Sequence, residues 1–196
     1  LPKLRRQDLD GGRLPGLVIV GSHVPLADIQ LDYLLKEFNC KGIELSVRKV
    51  SRLLQEDADE LLLLNLEREI YEESSEVLSL GKTPVLFTSR GELLFPSAMQ
   101  RLNFGRYLAQ LMARVVRNLS PKLGYLISKG GITTHTILED GLGLETVKLE
   151  GQLLPGLSLV RSESSGFSKD LPVITFPGNL GNEQTLLSAW RIMESC

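Results

Sequence analysis

Cysteine is scarce: Cys40 and Cys196 lie far apart in a chain of 196 residues, and Cys196 is the last of them. A disulfide framework is excluded, and two reduced thiols in a cytoplasmic protein are the plain reading. A basic excess is missing as well. Lys and Arg number 22 against 24 Asp and Glu, a net charge of −2, so the chain is not built to neutralise a nucleic-acid backbone. No apolar run approaches the roughly 20 residues of a membrane span, and the run Leu61–Leu64 is short and flanked by acids. The first residues, Leu1–Gly12, are polar and charged, unlike a signal peptide. Histidine is limited to His23 and His135, with no Cys or Asp cluster nearby, which makes a poor metal site. Neither G-x-x-x-x-G-K-S/T nor a G-x-G-x-x-G after the first strand is present. These absences leave a chain long enough for one well-buried domain, or one with an extension, that binds neither nucleic acid nor membrane. It begins at Leu1 rather than methionine, so either its start was processed or it is a piece of something longer.

What the chain does have is the stretch Leu123–Gly143, LGYLISKGGITTHTILEDGLG. The apolar Tyr125-Leu126-Ile127 predicts a buried strand, broken at Ser128-Lys129-Gly130-Gly131. A helix is expected from about Thr133, with Gly141 and Gly143 marking its end. A strand, a glycine-rich turn and a helix present backbone N–H groups to an anion. Glycine lets a ligand approach the main chain, and a helix N-terminus adds partial positive charge. Lys129 places a full charge beside that turn, as a partly exposed and screened point charge.

Around it the elements alternate. Residues 1–15 lack periodicity and read as a linker or loose arm. Gly16–Val20 is a continuous apolar run, as in a strand buried on both faces of a parallel sheet. A helix is expected over Pro25–Phe38 with Ile29, Tyr33, Leu34 and Phe38 on its apolar face, and a second strand over Ile43–Val50. Residues 51–80 look helical, although Leu61–Leu64 also fits a strand. Val85–Ser89 predicts a strand that ends in the polar turn Arg90-Gly91. Phe104–Leu119 predicts a long helix with Leu108, Leu111, Met112, Val115 and Val116 inward. Beyond Gly143, short strands are expected at Glu145–Leu149, Gln152–Leu154 and Leu157–Val160, then a polar loop Ser162–Asp170 and a buried strand Leu171–Phe176. The last helix, Glu183–Glu194, carries the single tryptophan, Trp190, on its apolar side. This alternation predicts an α/β layered fold, a mostly parallel sheet with helices on both faces.

Three predicted strands end in small, glycine-bearing turns: Gly21-Ser22, Ser128–Thr134 and Pro177–Gly181. Each alone has a plain structural explanation. Gly-Ser after a strand is an ordinary turn, Gly-Gly before a helix can serve helix–strand packing, and Asn179 can take a left-handed conformation in a plain loop. All three fall at strand C-termini, where open α/β sheets bind ligands, and together they point to a nucleotide or anion site. Other polar residues have bland readings: Glu139, Asp140 and the Glu67–Glu76 cluster as solvated helix faces, His135 as a helix-surface or partly packed residue, Cys40 as a small buried hydrophobe. His23 could contact a phosphate, and Arg90 could reach an anion or be solvated.

In this order, Val20-Gly21-Ser22-His23, SKGGITTHTILEDGLG over Ser128–Gly143, GQLLPG over Gly151–Gly156 and FPGNLG over Phe176–Gly181 resemble the C-terminal, nucleotide-binding domain of the four-carbon acid sugar kinases. The resemblance covers about residues 16–193, so residues 16–196 are expected to be one nucleotide-binding domain. It implies a two-domain kinase in which an N-terminal domain binds the sugar acid and the C-terminal domain supplies most of the ATP site. Carried onto this chain, Ser22 would touch the nucleotide, and Gly130 and Gly131 would lie against its phosphates with Lys129 beside them. Gly178, Asn179 and Gly181 would line the other side. Where relatives often carry Asp or Glu after the double glycine, this chain has Ile132. Thr133 and Thr134 then either organise the nucleotide-bound Mg²⁺ or cap the helix, capping being favoured. The implied activity is ATP-dependent phosphorylation of a tetronate- or threonate-type acid, complete only with the N-terminal domain, which is absent from this chain. No catalytic carboxylate is assigned. A non-catalytic nucleotide- or anion-binding module is the alternative. The implied partners are a nucleotide and, through the missing domain, a four-carbon sugar acid; a homodimer stays open.

Overall fold

All five residues of β1 (Gly16–Val20) are buried, and the reason is visible in the computed structural model, which describes residues 4–55, 60–90, 94–162 and 169–196. Successive side chains of a strand point to opposite faces. Leu17 and Ile19 pack with α2 (Val47–Gln55), α3 (Glu60–Ser79) and α4 (Ala98–Leu119). Val18 and Val20 pack with α1 (Pro25–Leu35) and α6 (Thr185–Ser195) on the other face. An unbroken apolar run is what a strand covered on both sides requires.

The remaining strands are β2 (Cys40–Leu45), β3 (Thr83–Thr88), β4 (Tyr125–Lys129), β5 (Val147–Leu154), β6 (Leu157–Ser162) and β7 (Val173–Phe176). They form a seven-stranded sheet in the order β2-β3-β1-β4-β7-β6-β5. The first five in that order are parallel, and β6 and β5 are antiparallel additions. The fold is therefore α/β, with a mixed, largely parallel sheet and helices on both faces. From β1 the chain runs outward to β2 on one side, whereas from β4 it runs toward β7 on the other. The crevice between β1 and β4 is thus the topological switch point, where α/β sheets take ligands at strand C-termini.

Several local expectations change. α1 ends at Leu35 and buries Ala27, Gln30, Leu31 and Leu34, while Ile29 is exposed and Phe38 lies beyond the helix. The polar Gln30 occupies the inward face because two backbone carbonyls accept its amide protons. β2 ends at Leu45, and Val47–Val50 belongs to α2, whose start Ser46 supports by accepting from the Lys49 N–H at 3.3 Å. Leu61–Leu64 is helical, in α3, and Leu61, Leu62 and Leu64 are exposed. α4 begins at Ala98 with Ser97 as N-cap, six residues before the apolar stripe starts. The strands expected at Glu145–Leu149 and Gln152–Leu154 are one strand, β5, bent by bulges around Gly151, whose φ is +141°. Of the expected polar loop Ser162–Asp170, residues 163–168 lie outside the described residues, as do Gly91 and residues 1–3.

Residues 4–15 run along the N-terminal end of the sheet. Arg6 N–H donates to Gly124 O at 2.9 Å, and Arg5 pairs with Glu194 at 3.2 Å. Glu194 also accepts from Tyr125 Oη at 2.6 Å, and burial together with that carboxylate holds the Tyr125 phenol well above its usual range. This network sits at the opposite end of the strands from the crevice.

Candidate functional site

β1, β4 and β7 are neighbours in the sheet, so their C-terminal turns meet. Gly21 N–H donates to Lys129 O at 3.0 Å, and Gly130 N–H donates to Phe176 O at 2.9 Å. A Cβ on Gly130 would lie 3.2 Å from Ser22 N, and one on Gly178 would lie 2.6 Å from Ser22 Oγ. Ser22 is the residue on which all three turns converge. Its carbonyl accepts from Arg90 Nη1 at 2.6 Å, which ties the end of β3 to the same point.

The glycines here have different reasons to be glycine. Gly130 has φ of +122°, a conformation that a side chain opposes, and closes directly on Ser22. Gly21 packs against Thr133, whose Oγ1 would overlap any Cβ at position 21. Gly131 is exposed, and apart from its chain neighbours and its own helix backbone no atom lies within 4 Å of where its Cβ would be. The fold gives no packing reason for glycine at 131, and its backbone is open to a ligand.

The break expected over Ser128-Lys129-Gly130-Gly131 starts two residues later, at Gly130. Ser128 and Lys129 belong to β4, and α5 (Gly131–Thr136) starts directly after Gly130, continuing as a π-helical turn Ile137–Gly141. Thr133 and Thr134 are therefore inside the helix and not at its cap. Thr134 Oγ1 donates back to β4, to Ser128 O at 3.0 Å, with Ser128 Oγ at 2.9 Å. Thr133 is buried against Gly21. Lys129 is fully buried, not partly exposed. Its Nζ donates to Gly178 O at 3.0 Å and Pro177 O at 3.3 Å and stands 3.8 Å from the Phe176 ring centroid. With no carboxylate beside it, burial lowers its pKa to about 8.

In the turn after β7, Pro177 and Gly178 reach the junction. Asn179 is exposed and does not take the left-handed conformation; Gly181 does, with φ of +84°, packed on Thr185 at the start of α6. The structure thus unites Ser22, Gly130 and Gly178 directly, holds Lys129 and Thr133 behind them, and leaves Asn179 and Gly181 further along the loop.

One supporting residue was not legible in the sequence. Gln30 of α1 is fully buried and its Nε2 donates to Asn182 O at 2.6 Å and Leu180 O at 3.1 Å, pinning the far end of the β7 turn. Gln30→Ala is expected to cost about 1–3 kcal/mol, because two shielded carbonyls lose their donor. Urea unfolding would measure that loss, with faster amide hydrogen exchange around residues 180–182.

His23 Nε2 lies 2.9 Å from Thr88 Oγ1. Burial first, then the charges of Arg90 and Arg101, lower its pKa against the opposing pull of Asp28, so it is neutral near pH 7. His135 is exposed, 3.0 Å from Glu139, as its surface reading expects. Cys40 is partly shielded and its thiol is pushed up to about 12 by burial and by Glu194 and Glu37. Among the described residues no group of three or more His, Cys, Asp or Glu could hold a metal, and no helix is long and apolar enough to cross a membrane.

Residues 17–186 match the family described as nucleotide-binding C-terminal domain. D-threonate kinase of Salmonella typhimurium is 29% identical over 199 residues, covering 94% of this chain and 44% of that protein. A domain of unknown function from Bordetella bronchiseptica, solved with bound citrate as a domain-swapped dimer, shares the fold at a TM-score of 0.71 and 19% identity, over 92% of this chain and 41% of that one. A protein of Salmonella typhimurium described as a putative tRNA synthase does so at 0.64 and 18%, over 91% and 41%. This chain therefore spans less than half the length of these proteins. On the match over most of its length, it belongs to the nucleotide-binding C-terminal domain family, linked to the four-carbon sugar-acid kinases.

Proposed function

We propose that this chain supplies the nucleotide side of an ATP-dependent kinase for a four-carbon sugar acid of the tetronate or threonate type. The observation that carries the reading is the convergence of Ser22, Gly130 and Gly178 at the switch point, with the Gly131 backbone left open beside them. Polyphosphates are held where main-chain N–H groups can be approached without side-chain obstruction. Ser22, Gly130, Gly131 and Gly178 would hold the phosphates, Lys129 and Thr133 would fix those turns from behind, and Asn179 and Gly181 would border the pocket. A bound nucleoside triphosphate supplies the phosphoryl group. Mg²⁺ would arrive coordinated by the phosphates, since this chain offers no carboxylate cluster of its own among the described residues.

The acceptor belongs to a separate N-terminal domain, for which residues 1–15 would be the connecting segment. D-threonate kinase, at 29% identity, supports this assignment, and this chain matches only 44% of it. Among the described residues, Ser22, Gly130, Gly131 and Gly178 bring no carboxylate to orient an acceptor hydroxyl. Glu139 is exposed beside His135, and Asp140 is exposed in the π-helical turn beyond the start of α5. The second reading is a nucleotide-binding module that transfers nothing. The domain-swapped dimer of the Bordetella bronchiseptica protein supports self-association, which sedimentation would measure.

Calorimetric titration with ATP·Mg²⁺ is expected to give saturable binding and a raised melting temperature. No heat and no thermal shift would remove the nucleotide reading. Phosphoryl transfer is expected only when a sugar-acid domain and threonate are added, read as ADP release. ATP binding with no ADP release under any such addition would leave the non-catalytic module.

A further inference from the structure

A cleft of about 650 Å³ opens beside the glycine junction, at the C-terminal ends of β1 and β3, and none of Gly130, Gly131 or Gly178 lines it. Its polar wall carries His23, Asp28, Arg90 and Arg101, and Phe104 stands on the apolar side. Arg90 is the unusual member. Its Nη1 donates to Ser22 O at 2.6 Å and forms an ion pair with Asp28 Oδ1 at 2.9 Å, an oxygen that itself accepts no hydrogen bond. Arg90 Nε and Nη2 are shielded from solvent and have no hydrogen-bond partner. A guanidinium with two shielded donors unmet carries an uncompensated desolvation cost. Those two donors form one edge of the planar fork that grips two oxygens of a carboxylate or phosphoryl group.

Arg101, exposed in the first turns of α4, forms no ion pair among the described residues, and its field reaches His23. Asp28 pairs with Arg90 at 2.9 Å, and the charges of Asp32 and Glu44 reach Arg90 as well.

We propose that this cleft is an oxyanion site, in which Arg90 presents Nε–H and Nη2–H to a carboxylate or phosphate and Arg101 supplies the second positive charge. It is distinct from the proposed phosphate junction and joined to it only through the Arg90–Ser22 hydrogen bond. The choice of a sugar acid as one probe rests on the kinase reading; the choice of phosphate does not.

The test follows the Arg90 Nε–H signal by NMR at low salt while the chain is titrated with threonate or, separately, with inorganic phosphate. A saturable shift with threonate alone identifies a carboxylate site, and one with phosphate identifies a phosphate site. Arg101→Ala, an exposed substitution that leaves the core intact, is expected to weaken whichever ligand binds by about tenfold, the loss of one charge-assisted contact. Its ATP affinity should stay within about twofold of the parent, since the residue lies outside the junction. Arg90→Lys should lose the ligand, because an ammonium cannot offer the fork. The proposal is overturned if neither probe moves the Arg90 signal, or if Arg101→Ala binds them as well as the parent. Loss of ATP binding by the unmodified chain, with the Arg90 response intact, would strike the nucleotide reading and leave this site standing.

Discussion

Replacing Gly131 by valine is expected to abolish ATP binding and leave the fold standing. Position 131 is exposed, its φ lies outside the left-handed range, and apart from its chain neighbours and its own helix backbone no atom lies within 4 Å of a Cβ placed there. The valine side chain would occupy the space beside Ser22 and Gly130 that the proposed phosphates need. In a helix, valine costs no more than the glycine it replaces. Calorimetry should show affinity weakened by about 100-fold or more, equivalent to roughly 3 kcal/mol. The melting temperature should stay within about 2 °C. Its neighbours behave differently. Gly130→Ala must hold a side chain at φ of +122° and press on Ser22 N at 3.2 Å, so it damages the fold along with the site. If Gly131→Val bound ATP normally, the phosphates would not lie on this turn.

The second large effect concerns Lys129. Lys129→Ala removes a fully buried side chain, opens a cavity against Phe176 and strips the donor from Pro177 O and Gly178 O. The expected loss is about 3 kcal/mol or more of stability, with the β7 turn released from the junction. A partly exposed point charge would instead weaken binding in a salt-dependent way and leave stability alone. Denaturant unfolding at low and high salt distinguishes the two.

Lys129→Met, which keeps most of the volume, isolates the charge. Burial lowers the folded-state pKa to about 8, from 10.5 in the unfolded chain. Between those values the unfolded chain still holds the proton that the folded one has released. Stability from this group therefore rises as pH increases through about 8. From pH 7.5 to 9.5 the parent should gain about 2 kcal/mol over Lys129→Met. Above pH 10 the buried Tyr125 phenol, whose folded pKa is raised, drives stability down again, so the comparison belongs below that.

How far the sequence carried the structure depends on which forces shape each element. β1 and the C-terminal part of α4 were legible because their pattern is set by burial alone, an unbroken apolar run and a clean inward stripe. The helix α1, its start at Pro25 and the burial of Leu34 match the expectation, but its inward face does not: Gln30 takes a place there because the carbonyls of Leu180 and Asn182 receive its amide. Those carbonyls come from the other end of the chain. β2 was overextended for a similar reason: the α2 start is fixed by Ser46 and by Ser89, whose Oγ accepts from Val47 N–H at 2.9 Å. At the site, the order of strands brought Ser22, Gly130 and Gly178 together as the turn signals implied. Glycine composition alone could not assign separate reasons to Gly21, Gly130 and Gly131. That needed the position of Thr133 behind one, a positive φ at the second and open space at the third. Lysine in an apolar run reads as the end of a strand, which puts Lys129 in the turn. Two carbonyls and an aromatic ring keep it inside the strand.

The most direct test of the account follows the backbone amide signals of Ser22, Gly130, Gly131 and Gly178 by NMR as ATP·Mg²⁺ is added. The account predicts that these four shift together, saturably and more than any amide of β5 or of residues 4–15. Saturable ATP binding that moved amides elsewhere and left these four unchanged would contradict it.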